Sequence, residues 1–165
     1  MKRILIGADF VPSEINVKYF TEGKLKEIIE PELYEIMTKA DYKIYNLEMP
    51  LTDNFTPIVK WAGNLIAPTA AINGYKEMGV NLFVTSNNHI LDQKRVGLES
   101  TFKTLDAAGI NHVGTGMSYE EACKPFIFKI EDKTIGVYNC CEHEFCGAQE
   151  YGFGANLFDP FESLD

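Results

Sequence analysis

Short apolar runs alternate along the chain with segments whose apolar residues recur every three or four positions. Ile4 to Ala8 reads as a buried strand. Leu25, Ile28, Ile29, Leu33, Ile36 and Met37 fall on one helical face, and Pro31 interrupts it, predicting two short helices or one kinked one. Tyr42 to Leu47 is the second strand. From Thr52 to Pro68 the content of Pro, Asn and Gly predicts a loop, long enough to be a candidate functional one. Thr69 to Met78 is a helix ended by Gly79, and Val80 to Thr85 a strand. Leu98, Phe102 and Leu105 mark a helix closed by Gly109, and Ile110 to Val113 a strand. Ser118-Tyr119-Glu120-Glu121 is a capping box, and Phe126 to Ile130 with Thr134 to Asn139 predicts a hairpin around Asp132-Lys133. Repeated strand–helix–strand order defines an α/β fold with a mostly parallel sheet flanked by helices. After Cys146 the pattern fades into Gly, Asn and Pro.

Composition narrows the function classes. A chain of 165 residues that is 45% hydrophobic holds one domain with a real core. The net charge of -9 excludes a non-specific nucleic-acid binder and suits a cation or cationic partner. No apolar run reaches the roughly 18 residues of a membrane span. Met1-Lys2-Arg3 leads straight into a strand, with no signal-peptide core. Cys123, Cys140, Cys141 and Cys146 form no C-x-x-C pair and are expected as reduced thiols, so a cytoplasmic setting is expected.

In open α/β sheets, chemistry collects at the carboxyl ends of the strands. Those ends carry Asp9, then Asn46-Leu47-Glu48, then Ser86-Asn87-Asn88-His89, then Cys140-Cys141-Glu142-His143, all expected along one edge of the sheet. Carboxylates gathered there repel one another unless a cation sits among them or a proton is shared. Carboxylate, amide and imidazole together suit manganese, iron, zinc or magnesium. Each residue also has a plain structural role open to it: Asp9 as a cap, Glu48 as a solvated loop acid, Asn87-Asn88 as turn formers. Asp92 either orients the His89 imidazole or caps a helix, and His112, in an apolar strand, reads as structural. Phosphate-cradling glycine loops and the G-x-S-x-G elbow are absent.

Three stretches carry a more specific resemblance: Asn46 to Thr52 (NLEMPLT), Lys60 to Pro68 (KWAGNLIAP) and Ser86 to Asp92 (SNNHILD). Together they resemble the CapA/PgsA family of capsule-synthesis proteins, and Gly114-Thr115-Gly116 fits too. The resemblance runs from Gly7 to about Phe145. It implies a fold similar to the calcineurin-like metallophosphoesterases, an αββα sandwich of two packed sheets with helices outside. Residues 1–146 would be the N-terminal portion of that domain, and residues 147–165 an irregular segment continuing into a longer parent.

The resemblance further implies capsule or poly-γ-glutamate production, with up to two divalent metal ions held by Asp9, Glu48 and Asn88. His89, with Asp92 three residues on, would be the acid or phosphate-facing group, and Lys60 and Asn64 would face an anionic substrate or polymer. Metallophosphoesterases usually carry D-x-H on the first strand, whereas Asp9-Phe10-Val11 has no histidine. A metal-dependent hydrolase and a non-catalytic binding or assembly protein are therefore both carried forward. Family relatives are often anchored outside the membrane. A fragment with an uncovered apolar sheet face is expected to form a homo-oligomer.

Overall fold

The computed structural model describes residues 2–61, 63–144, 146–148, 152–161 and 163. Four strands, β1 (Ile4–Asp9), β2 (Tyr42–Asn46), β3 (Leu82–Val84) and β4 (Asn111–Val113), form a parallel sheet in chain order. Ile4 lies opposite Tyr42, Ile44 opposite Leu82, and Leu82 opposite Asn111. A right-handed crossover that always steps the same way puts every connection on one face. That face carries α1 (Val17–Glu22), α2 (Pro31–Lys39), α3 (Ile72–Met78) and α4 (Lys94–Ala108).

The strands alternate accordingly. Leu5, Tyr45 and Phe83 point into the main core with Phe20, Leu25 and Tyr75. On the other face Ile44, Leu82 and Val113, flanked by Tyr42 and Val84, meet Phe126, Phe128 and Val137. Those partners belong to a separate antiparallel hairpin, β6 (Phe126–Ile130) and β7 (Lys133–Val137). A parallel sheet with helices on one face and a second β layer on the other is a metallophosphoesterase-like arrangement. The apolar face is uncovered over a narrower strip than expected, because the hairpin takes its centre. Ile6 on the edge strand remains 78% exposed and Ile4 39%.

The helical pattern before β2 resolves into a 3-10 turn over Leu25–Glu27 and α2, which Pro31 begins rather than breaks. The Glu30 side chain accepts from the Glu32 and Leu33 amides at 2.9 and 3.3 Å. Leu33 and Ile36 nonetheless lie exposed, and only Tyr34 and Met37 of α2 reach the core. Helix α1 was not expected from the pattern. Gly79 and Gly109 end their helices in the left-handed conformation, as expected. Ser118 caps α5 (Tyr119–Cys123), accepting from the Glu121 amide at 3.2 Å.

Two details near the end of the chain differ from expectation. The hairpin turn is Glu131-Asp132, since Ile130 pairs with Lys133, and Glu131 takes the positive φ of 53°. The segment after Cys146 is not simply irregular. Gly154 and Ala155 form β8, antiparallel to β5 (Thr115–Gly116), and Asn156 is fully buried.

His112 has the structural surroundings expected of it, stacked on Phe102 of α4 with ring centroids 4.4 Å apart. Burial pushes its pKa below the usual 6.5, against a weaker upward pull from Asp106. The folded protein thus refuses a proton that the unfolded chain accepts near pH 6.5. Stability from this group is complete above that pH and is lost as pH falls toward the depressed folded value. His112→Phe, which keeps the stacked ring, is expected to flatten the fall in urea midpoint between about pH 7.5 and 5.5. Equal slopes in the two proteins would refute this role.

Candidate functional site

The end of β1 is set by the residue after Asp9. The Phe10 ring packs on Phe20, Tyr45 and Tyr75 at centroid distances of 5.3, 4.9 and 5.4 Å. The Tyr75 hydroxyl donates to the Phe10 carbonyl at 2.8 Å, and the Phe10 amide donates to the Asn46 carbonyl at 3.2 Å. Gly7 permits this packing, because a Cβ there would stand 2.3 Å from the Tyr45 ring. Asp9 is thereby held level with Asn46.

Asn46 then joins the two acids. Its Nδ2 donates to Asp9 Oδ1 at 2.8 Å and to Glu48 Oε2 at 2.5 Å. Asn87 Nδ2 donates in turn to Asn46 Oδ1 at 3.2 Å and to the Leu47 carbonyl at 2.8 Å, orienting the amide. Asn87 Oδ1 accepts from the His89 amide at 3.1 Å. Burial pushes the Glu48 carboxyl up, and the Asp9 charge adds to that, while His89 and the Asn46 amide pull it down. Among the described residues neither acid has a Lys or Arg ion-pair partner.

His89 is gripped from its other side. Its Nδ1 lies 2.7 Å from Asp92 Oδ2, a contact that is attractive only when Nδ1 carries the proton. Asp92 is fully buried and also accepts from the Leu65 amide at 2.6 Å. Its Oδ1 forms an ion pair with Lys60, whose side chain is 1% exposed. Of the two sequence readings of Asp92, orienting the imidazole matches this contact.

Lys60 and Asn64 therefore differ from the expectation that they face a substrate. The Lys60 ammonium is turned inward onto Asp92 and lies 3.1 Å from His89 Nδ1. Asn64 Nδ2 donates to the Ile58 carbonyl at 3.0 Å within its own loop. Both polar groups hold the loop in place, because a connection without helix or strand must satisfy its buried polar atoms through side chains. Gln93, fully buried, does the same, accepting from the Thr56 amide at 2.7 Å and donating to the Leu65 carbonyl at 3.1 Å.

Asp9, Glu48 and His89 are thus linked through Asn46 and Asn87. Asn88 lines a cavity of about 260 Å³ with Ser86, Asn87, Cys141, Glu142 and Glu144. The expectation that the last strand shares the sheet edge is corrected. The strand leading to Cys140 belongs to the hairpin, and its continuation reaches the site by Asn139 Oδ1, which accepts from the Ser86 amide at 2.6 Å. His143 lies on the surface, its Nε2 3.1 Å from the Phe158 carbonyl. Sequence reasoning did not single out Asn46 as a link, or Asn87 and Gln93 as struts. Its one available signal was the position of Asn46, two residues before Glu48.

The donor set suits a divalent cation in one respect: two adjacent carboxylates share a single amide donor and, among the described residues, have no Lys or Arg ion-pair partner. Among the described residues no three His, Cys, Asp or Glu side chains gather at metal-binding spacing, so amides such as Asn88 would have to complete a shell. The larger cavity of about 650 Å³, between α3 and α4, is remote from these groups.

A four-stranded parallel sheet with helices on one face and a β layer on the other is a metallophosphoesterase-like fold. The chain belongs to the family described as bacterial capsule synthesis protein PGA_cap, whose model matches residues 16–159. That span contains Glu48, Asn88, His89 and Asp92 and leaves out Asp9. Similar curated proteins are the uncharacterized proteins y4sH and y4uA of Sinorhizobium fredii (strain NBRC 101917 / NGR234). Each is 29% identical over 114 residues, covering 66% of this chain and 25% of the relative. The aligned region is thus about a quarter of the relatives' length. Among the described residues no helix is long and apolar enough to cross a membrane.

Removing one partner of a buried ion pair strands the other, at a cost of about 3–5 kcal/mol. Lys60→Met and Asp92→Leu are each expected to lower the unfolding free energy in urea by about 3 kcal/mol. The double variant is expected to regain part of that loss. A Lys60→Met protein as stable as the parent would show that the pair does not hold the loop.

Proposed function

We propose that this chain carries the acidic edge of a metal-dependent hydrolase acting on a phosphoester or an amide-linked anionic polymer in capsule synthesis. The supporting observation is that Asp9 and Glu48, from successive strand ends, converge on one Asn46 amide beside an imidazole held by a buried carboxylate. Asp9 and Glu48 would hold the cation, with Asn88 as a further ligand. When bound, the cation supplies Lewis acidity toward a substrate oxygen and lowers the pKa of a water.

The remaining work falls to this chain's own groups. With Nδ1–H directed at Asp92, Nε2 is the ring nitrogen left free to take up a proton and to pass it to a departing oxygen or nitrogen. Asp92 fixes the ring tautomer, and Lys60 fixes Asp92. Asn46 keeps the two carboxylates at a set separation, so that the cation meets a prepared pair. The loop from Thr52 to Pro68, fastened through Lys60 and Gln93, forms one wall beside His89.

A second reading, a non-catalytic binding or assembly protein, draws support from Val11. It stands where metallophosphoesterases usually have the D-x-H histidine, and it packs against the main core.

Calorimetric titration with manganese, alongside hydrolysis of an aryl phosphodiester, separates the two readings. Binding that weakens more than about tenfold in Asp9→Asn and in Glu48→Gln is expected for the hydrolase. His89→Gln is expected to retain metal and lose turnover. Absence of both metal binding and turnover in the folded parent protein would leave the assembly reading.

A further inference from the structure

We propose that Cys141 and Cys146 are a thiol–disulfide pair, a modification site on the rim of the Asn88 cavity that a low-molecular-weight disulfide oxidises. Their sulfurs lie 3.6 Å apart. Both backbones are fastened to the same segment. The Cys141 amide donates to the Asn156 carbonyl at 3.0 Å, and its carbonyl accepts from Phe158 at 2.7 Å. The Cys146 carbonyl accepts from Ala155 at 2.6 Å. Bond formation needs the sulfurs to close to about 2.05 Å, which side-chain rotation supplies while these anchors hold.

The two thiols have different roles. Cys146 is fully buried, whereas Cys141 is partly exposed and lines the cavity of about 260 Å³ by which a small reagent can arrive. A hydrogen bond from Cys146 draws the Cys141 thiol down to about 7, with help from Ser86 and His143 against burial and Glu144. Cys146 is pushed up by the same bond and by burial, so it stays protonated. Cys140, the adjacent thiol, is pushed up by burial and by Cys141. Cys141 is therefore the attacking group.

The Cys141 thiolate attacks one sulfur of the small disulfide, forming a mixed disulfide and expelling one thiolate. Cys146 then gives its proton to water and attacks the Cys141 sulfur, expelling the second thiolate. Two protein thiols become one S–S bond, and the small disulfide becomes two thiols. The new ring contains Glu142 and Glu144, which line the cavity with Asn88. The pairing is independent of whether the protein is a hydrolase.

The test uses the whole reduced chain, treated with glutathione disulfide at pH 8 and mapped as peptides without reduction. Loss of two of the four thiols, with Cys141 linked to Cys146, is the expected result. Cys146→Ser is expected to trap glutathione on Cys141, and Cys141→Ser to slow reaction at residue 146 more than tenfold. Cys140→Ser, checked as folded by circular dichroism, is expected to leave the cross-link unchanged. A Cys140–Cys141 link, or oxidation of Cys123 ahead of Cys141, would overturn the proposal. So would four thiols that persist, or thiols that react only after a chelator strips stoichiometric zinc.

Discussion

One buried carboxylate organises the surroundings of the candidate site. Asp92 accepts from the Lys60 ammonium, the His89 ring and the Leu65 amide, while its own carbonyl accepts from Ile58. A charge removed from water is costly unless its lone pairs are filled, and here they are filled from both the long loop and the imidazole turn. The requirement to satisfy Asp92 therefore fixes the loop and the ring together. A loop with neither helix nor strand gains a defined position because it supplies the counter-charge.

A second constraint acts on the acids. Asp9 is exposed, on an edge strand, and would be poorly placed by sheet hydrogen bonds alone. Its position comes from Phe10, whose ring joins Phe20, Tyr45 and Tyr75 in one aromatic cluster. Offset and edge-to-face ring contacts specify orientation as well as burial. The apolar core thus sets the direction of a polar group at the sheet edge. Asn46 converts that placement into proximity, giving two like-charged groups one shared donor.

Much of the sheet was legible because β3 is a short apolar run, because β2 and β4 carry Ile44 and Val113 within short segments between helical patterns, and because Gly79 and Gly109 read as helix ends. The Ser118 cap was legible for the same local reason. Helix α1 was missed because six residues carry too little periodicity. Leu33 and Ile36 matched the period but are exposed, since periodicity does not say how far a helix leans on its core. Within the site, the strand-end positions of Asp9, Glu48 and His89 could be read from the fold class. The direction of Lys60 could not, because its partner lies 32 residues away and only the folded loop brings them together. The hairpin misled in a related way. A strand reads alike whether it extends one sheet or starts another, so the strand before Cys140 was expected in the parallel sheet, whereas it pairs in the hairpin.

The strands lie side by side in the order in which they are made. During synthesis each new strand can dock on an edge that already exists, with no gap left for a later arrival. The pairing of β1 with β2 can form before the imidazole turn is made, whereas the Tyr75 and Asn87 contacts that finish the placement of the acids come later. Vectorial growth would then bring the Asn87-Asn88-His89 turn to two strands already paired, and its arrival would lock the carboxylates and the imidazole together.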